Sequence, residues 1–121
     1  MTTRKDTQEP DTFENCVKRM LAVKDALEVL NGRWKLPIMT SLLFGNKRFK
    51  EISKEVDGVT DRMLSKELKD LEINQLVTRK VHGTFPPTVE YSLTEHGRSL
   101  EIVVAELYYW GLKHRKKIIG K

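Results

Sequence analysis

Apolar residues recur at alternating spacings of three and four near the start of the chain: Phe13, Cys16, Met20, Val23, Leu27 and Leu30. That spacing draws one stripe along a helix. Asp11, with Glu14 three residues on, predicts an N-terminal cap, and Gly32 a C-terminal stop. A shorter helix is predicted over Lys35 to Phe44, with Pro37 in its first turn and Ile38, Met39, Leu42 and Leu43 turned inward. Phe49, Ile52 and Val56 mark a third, closed by the turn pair Asp57-Gly58. Thr60 then caps a fourth that reaches Ile73. Its inner stripe is Leu64, Leu68 and Leu71, so Arg62, Ser65, Lys66 and Lys69 must face outward. Asn74 is the expected left-handed terminator.

After Gln75 the pattern becomes strict alternation. Val77, Arg79 and Val81 alternate with Thr78, Lys80 and His82; Val89, Tyr91 and Leu93 alternate with Glu90 and Ser92. Gly83-Thr84-Phe85-Pro86-Pro87 lies between, so the two runs form a hairpin. Thr94 is expected to cap one final long helix, from about Glu95 to Lys117, striped by Leu100, Val103, Leu107 and Trp110. The fold is therefore mainly α with a small β-hairpin (α+β). Two short helices joined by a Gly-containing turn and followed by a hairpin describe a winged helix-turn-helix. Residues 1–10 read as a disordered tail. Residues 11–121 read as a single winged helix-turn-helix domain with dimerisation helices at both ends.

Four pieces of the chain carry a family resemblance. Ala26-Leu27 through Asn31-Gly32-Arg33-Trp34 is similar to A-L-x-x-I-G-G-K-W, and Arg48-Phe49-Lys50-Glu51-Ile52 to R-F-x-E-L. The run from Leu64 to Glu72 is similar to L-S-x-x-L-x-x-L-E. Pro86-Pro87-Thr88-Val89-Glu90-Tyr91-Ser92-Leu93-Thr94 with Gly97 matches P-P-x-V-E-Y-x-L-T-x-x-G. In this order, from about Leu21 to Gly111, they resemble the HxlR-type regulators, winged-helix relatives of MarR proteins. The resemblance implies a homodimer that binds double-stranded operator DNA through two recognition helices and two wings. Two positions depart from the pattern. Leu21 stands where family members commonly carry a cysteine, and Gln75 replaces the glycine usual before the first wing strand. The family's redox thiol therefore does not transfer directly, and Asn74 is expected to supply the turn's awkward dihedral.

Composition adds limits. The 121 residues suffice for one core without covalent staples. No apolar run approaches the roughly 20 residues of a membrane span, and the start of the chain has no apolar core of a secretory signal. The single cysteine excludes an internal disulfide and any multi-thiolate zinc site. A reducing cytoplasm is the expected compartment. His82, His96 and His114 are scattered, and no phosphate-loop or nucleophile motif occurs, so neither an enzyme, a metal site nor a cofactor is expected.

The formal charge of +5 matters only where it is placed. Arg62 can bond guanine O6 and N7 with its fork, whereas Lys66 and Lys69 suit phosphates and Ser65 either partner. Thr60 sits at the helix N-terminus, where backbone amides favour phosphate. Arg79, Lys80 and His82 lie on the wing. Lys47, Arg48 and Lys50 are placed to clamp a phosphate strand. Each of these also has a blander reading, as a solvated face or as charge protecting a strand edge. The basic run Lys113 to Lys117 is better read as complementing its helix dipole. Trp34 is expected to pack inside. Cys16 is either a small hydrophobe within its stripe or a candidate redox residue aided by Lys18 and Arg19. The expected function is a sequence-specific DNA-binding transcriptional regulator, a repressor where its operator overlaps a promoter. The alternative is a winged-helix protein-interaction module that does not bind DNA. No residue pattern identifies a small-molecule effector.

Overall fold

Residues 12–120 are described by the computed structural model. The tail expected over 1–10 and the cap expected of Asp11 lie outside them. The chain divides into two units, Met1–Asn31 and Gly32–Lys121.

The first unit is helix α1, Phe13–Val29. Thr12 is its N-cap: the hydroxyl oxygen accepts from the Asn15 N–H at 3.1 Å. The Leu30 N–H closes the other end on the Ala26 carbonyl. No side chain of α1 is buried, and Phe13 is 86% exposed. The apolar stripe exists, and its side chains on α1 are exposed among the described residues. Cys16 is exposed with it.

The second unit runs α2 (Lys35–Leu43), α3 (Phe49–Glu55), α4 (Asp61–Ile73), β1 (Val77–His82), β2 (Thr88–Leu93), α5 (Glu95–Arg98) and α6 (Glu101–Ile119). Its core joins three helices to the root of the hairpin. Ile38 and Leu42 come from α2, Ile52 from α3, and Leu64, Leu68 and Leu71 from α4. Leu76 and Val77 close it from below. The strands pair antiparallel, from Val77 opposite Leu93 to His82 opposite Thr88. Lys47 adds a short third edge, exchanging both backbone hydrogen bonds with Tyr91 at 2.9 and 2.8 Å. Trp34 is half-buried rather than enclosed, with the Arg33 guanidinium over its ring at 4.9 Å.

Two local expectations are corrected. The final helix is broken. Thr94 does cap it, accepting from Gly97 N at 2.9 Å, but α5 ends at Arg98 and α6 restarts at Glu101. Between them Ser99 and Leu100 donate to carbonyls three residues back, and the Ser99 hydroxyl donates to the His96 carbonyl. Such bonds tighten the turn and release the helical ladder. The short α5 is held where it is by its docking on the α4–β1 turn. Thr94 N donates to Leu76 O at 3.0 Å, and Thr94 Oγ1 to Gln75 O at 2.6 Å.

The second correction concerns that turn. Asn74 keeps an ordinary φ of −83°, its side-chain amide donating to Asp70 O at 2.9 Å. The left-handed residue is Gln75, at φ 61°. The glycine that Gln75 replaces in the family pattern would sit there without a Cβ penalty. Gln75→Gly is therefore expected to raise unfolding free energy by about 0.5–1 kcal/mol, read by urea denaturation at fixed protein concentration.

Candidate nucleic-acid interface

Helix α4 is built to show one polar face. Leu64, Leu68 and Leu71 are fully buried, so the helical period turns Arg62, Ser65, Lys66 and Lys69 to solvent, where all four are exposed. Thr60 is exposed at the N-terminus and caps it, its oxygen accepting from Met63 N at 3.1 Å. That acceptor is already used by the helix.

Three of the four acids of α4, Asp61, Glu67 and Asp70, are engaged by other residues, while Glu72 stays exposed on the stripe of Ser65 and Lys69. Glu67 is buried, and Lys35 Nζ on α2 lies 2.6 Å from its carboxylate. The same ammonium stands 3.6 Å from Asp70. Asp61 accepts from the Ser53 hydroxyl at 3.2 Å. The outward surface is thereby more positive than a count of charges along α4 implies. The sequence motifs assign Lys35 no role, yet its place is legible in the sequence, since Lys35, Ile38, Met39 and Leu42 share one stripe, as do Leu64, Glu67, Leu68 and Leu71.

Lys47 is removed from the candidate phosphate clamp. Its ammonium donates to Ser41 O at 2.7 Å and to the Glu55 carboxylate at 2.5 Å, and the Lys47 side chain is only 12% exposed. The hydrogen bond from Lys47 holds the Glu55 carboxyl below its usual pKa. Arg48 is the N-cap residue of α3, its backbone N–H donating to Glu51 at 2.8 Å. Lys50 is exposed on the first turn of α3.

The wing residues separate by strand parity. Arg79 is paired with Tyr91 and lies on the face that, one step nearer the root, carries buried Val77 and Leu93. Lys80, opposite Glu90, and His82, opposite Thr88, lie on the other face. His82 Nε2 is 3.3 Å from the Glu90 carboxylate. The structure thus brings Arg79 together with Ser65, Lys69 and Glu72 of α4 and with Tyr91, around one polar cleft. Lys80 and His82 do not join it. In the sequence Tyr91 is an alternating strand position and part of the family motif, and the register adds its place at the cleft.

Comparison with known proteins decides the family. The profile of the HxlR-like helix-turn-helix family matches residues 29–118, which span α2 to α6. This chain belongs to that family. Its relatives include the uncharacterized HTH-type transcriptional regulator YtcD of Bacillus subtilis (strain 168). The two are 38% identical over 103 residues, covering 85% of this chain and 82% of YtcD. Among solved structures, the redox regulator HypR in its reduced form superposes with a TM-score of 0.75 at 38% identity, over 83% of this chain and 99% of that one. A MarR-family transcriptional regulator from Enterococcus faecalis V583 gives a TM-score of 0.74 at 34% identity, over 100% and 97%. HxlR-type proteins are transcriptional regulators rather than enzymes, and the winged helix-turn-helix assignment of α3, α4 and the hairpin holds. Among the described residues no helix is long and apolar enough to cross a membrane.

Proposed function

We propose that this chain is a cytoplasmic, operator-binding repressor that acts as a homodimer. The observation that carries the reading is the outward face of α4. Arg62, Ser65, Lys66 and Lys69 are exposed, while Glu67 and Asp70 turn to Lys35. In the major groove Arg62 reads a guanine and Lys66 contacts phosphate, with Ser65 and Lys69 beside them. Thr60 offers the backbone amides of the α4 N-terminus to a phosphate. Lys50 on α3 and Arg79, Lys80 and His82 on the wing contact the backbone on either side.

The homodimer is supported by apolar faces at both ends of the single domain expected over 11–121. Met20 and Leu27 of α1 and Leu107 and Trp110 of α6 are more than half exposed, and burying such side chains is worth about 1.5–3 kcal/mol each. An isologous dimer uses each face twice and sets two recognition helices about 34 Å apart, one turn of DNA. Cys16 within α1 is read as part of that apolar face.

Selection of bound sequences from a random duplex library, at two salt concentrations, tests the reading. A two-fold-related motif with half-sites about one turn apart is expected, with affinity falling steeply as salt rises. Weak enrichment without a motif would favour the protein-interaction module instead. On the enriched duplex, Arg62→Ala is expected to cost about 1–3 kcal/mol and to relax preference at one base pair. Unchanged affinity and preference would remove Arg62 from the interface.

A further inference from the structure

We propose that the cleft between α4 and the wing is the seat of one DNA backbone phosphate, held by Arg79, Lys69 and the hydroxyls of Ser65 and Tyr91. The inference rests on the DNA-binding reading above and adds to it a place and a residue, Tyr91, for the anchoring contact.

The cleft has a volume of about 300 Å³ and is lined by Ser65, Lys69, Glu72, Arg79 and Tyr91. Spacings of four and three put Ser65, Lys69 and Glu72 on one stripe of α4. Arg79 and Tyr91 face that stripe as register partners on adjacent strands. Tyr91 cannot drift, because its backbone is bonded to Lys47 on the side away from β1. Among the described residues, neither Lys69 nor Arg79 has a salt-bridge partner. Two unpaired cations against the one carboxylate of Glu72 leave the cleft one positive charge in excess, the charge of a single phosphodiester reversed.

The architecture brings a phosphate to this place. Major and minor grooves are divided by a sugar-phosphate strand. A recognition helix in one groove and a wing over the next must straddle that strand, so the side chains between them meet phosphates rather than base edges. The donors suit that role. An arginine fork grips two phosphate oxygens, a lysine adds a point charge, and hydroxyls donate without reading sequence. Such a contact fixes the register of α4 in its groove and leaves discrimination to Arg62.

The test uses the full chain and the duplex enriched by selection. Arg79→Gln and Lys69→Gln should each weaken binding about tenfold, equally on the enriched duplex and on a random one. Each should lower the slope of log K against log salt by about 0.9. Tyr91→Phe should weaken binding about threefold with the slope unchanged. Neutral methylphosphonate linkages, placed singly along the duplex, locate the phosphate. At one linkage in each half-site the substitution should cost the wild type about tenfold and cost Arg79→Gln nothing further. If every linkage costs Arg79→Gln as much as it costs the wild type, the seat is wrong while DNA binding stands. A changed base preference in Arg79→Gln overturns it equally, since the residue would then read sequence. If the wild type binds no duplex, the underlying reading fails and the seat with it.

Discussion

Lys35→Met should lower the stability of the fold by about 3–5 kcal/mol, among the largest losses any single exchange in this chain can produce. Lys35 and Glu67 lie 2.6 Å apart, and their side chains are 9% and 11% exposed. Methionine matches the lysine stem in length and apolar character, so packing is kept while the charge is lost. What remains is a buried carboxylate with no cation, and its desolvation is no longer offset. Asp70, 41% exposed, keeps its water and suffers little. The companion Lys35→Met/Glu67→Leu removes both charges and should recover most of the loss, because an apolar replacement of a buried pair is often neutral. Urea denaturation of both variants at one protein concentration separates the cases. A single exchange that costs under about 1 kcal/mol would show that Glu67 is reached by water. The pair also bears on function. With Lys35 gone, a carboxylate seeking solvent would come to the surface beside Lys66, and DNA affinity should fall along with stability.

What the sequence revealed follows a physical boundary. Periodicity located α2, α3, α4 and both strands to within a residue or so, because burial of one stripe dictates where Leu64, Leu68 and Leu71 must lie. The same rule placed Arg62, Ser65, Lys66 and Lys69 on the outside without knowledge of any neighbour. Features set by contacts between distant segments escaped it. The stripe of α1 has the right period, yet a period does not say whether a face is buried, and among the described residues no side chain of α1 is. Lys47 looked like a helix-opening surface charge because Ser41 and Glu55, which hold it, belong to other elements. The left-handed turn fell on Gln75, not Asn74, since the turn is set by where β1 must begin rather than by residue preference. Tyr91 became a candidate only when the register set it opposite Arg79 and beside α4. The charge pair of Lys35 and Glu67 was legible in principle, as two ions on two apolar stripes.

Gly97→Ala carries the other large effect. A Cβ at Gly97 would stand 2.2 Å from the carbonyl oxygen of Leu76 and 3.2 Å from Leu93 Cδ2. The first neighbour is backbone and cannot swing aside. Leu76 O also accepts from Thr94 N at 3.0 Å, and Thr94 Oγ1 accepts from Gly97 N at 2.9 Å. To admit one methyl group, α5 must lift from the α4–β1 turn and strain both bonds. Overpacking of this kind costs about 1–3 kcal/mol, occasionally more, and contact with an immobile carbonyl puts Gly97→Ala at the upper end. Gly83→Ala, with no atom within 4 Å, serves as the control and should shift stability by less than about 0.5 kcal/mol. Equal melting curves for the two variants would mean that α5 is not seated on Leu76. The expected inequality has a consequence beyond stability. Leu76 precedes the wing strand, and α5 leads into α6, whose apolar face is proposed to join the dimer. A glycine at position 97 therefore lets the root of the wing and the helix leading into α6 meet at one carbonyl. Any shift there should disturb the spacing of the two recognition helices before it unfolds either one. Binding of Gly97→Ala, below its melting temperature, should consequently favour half-sites at an altered separation, which selection from a library of varied spacers would read directly.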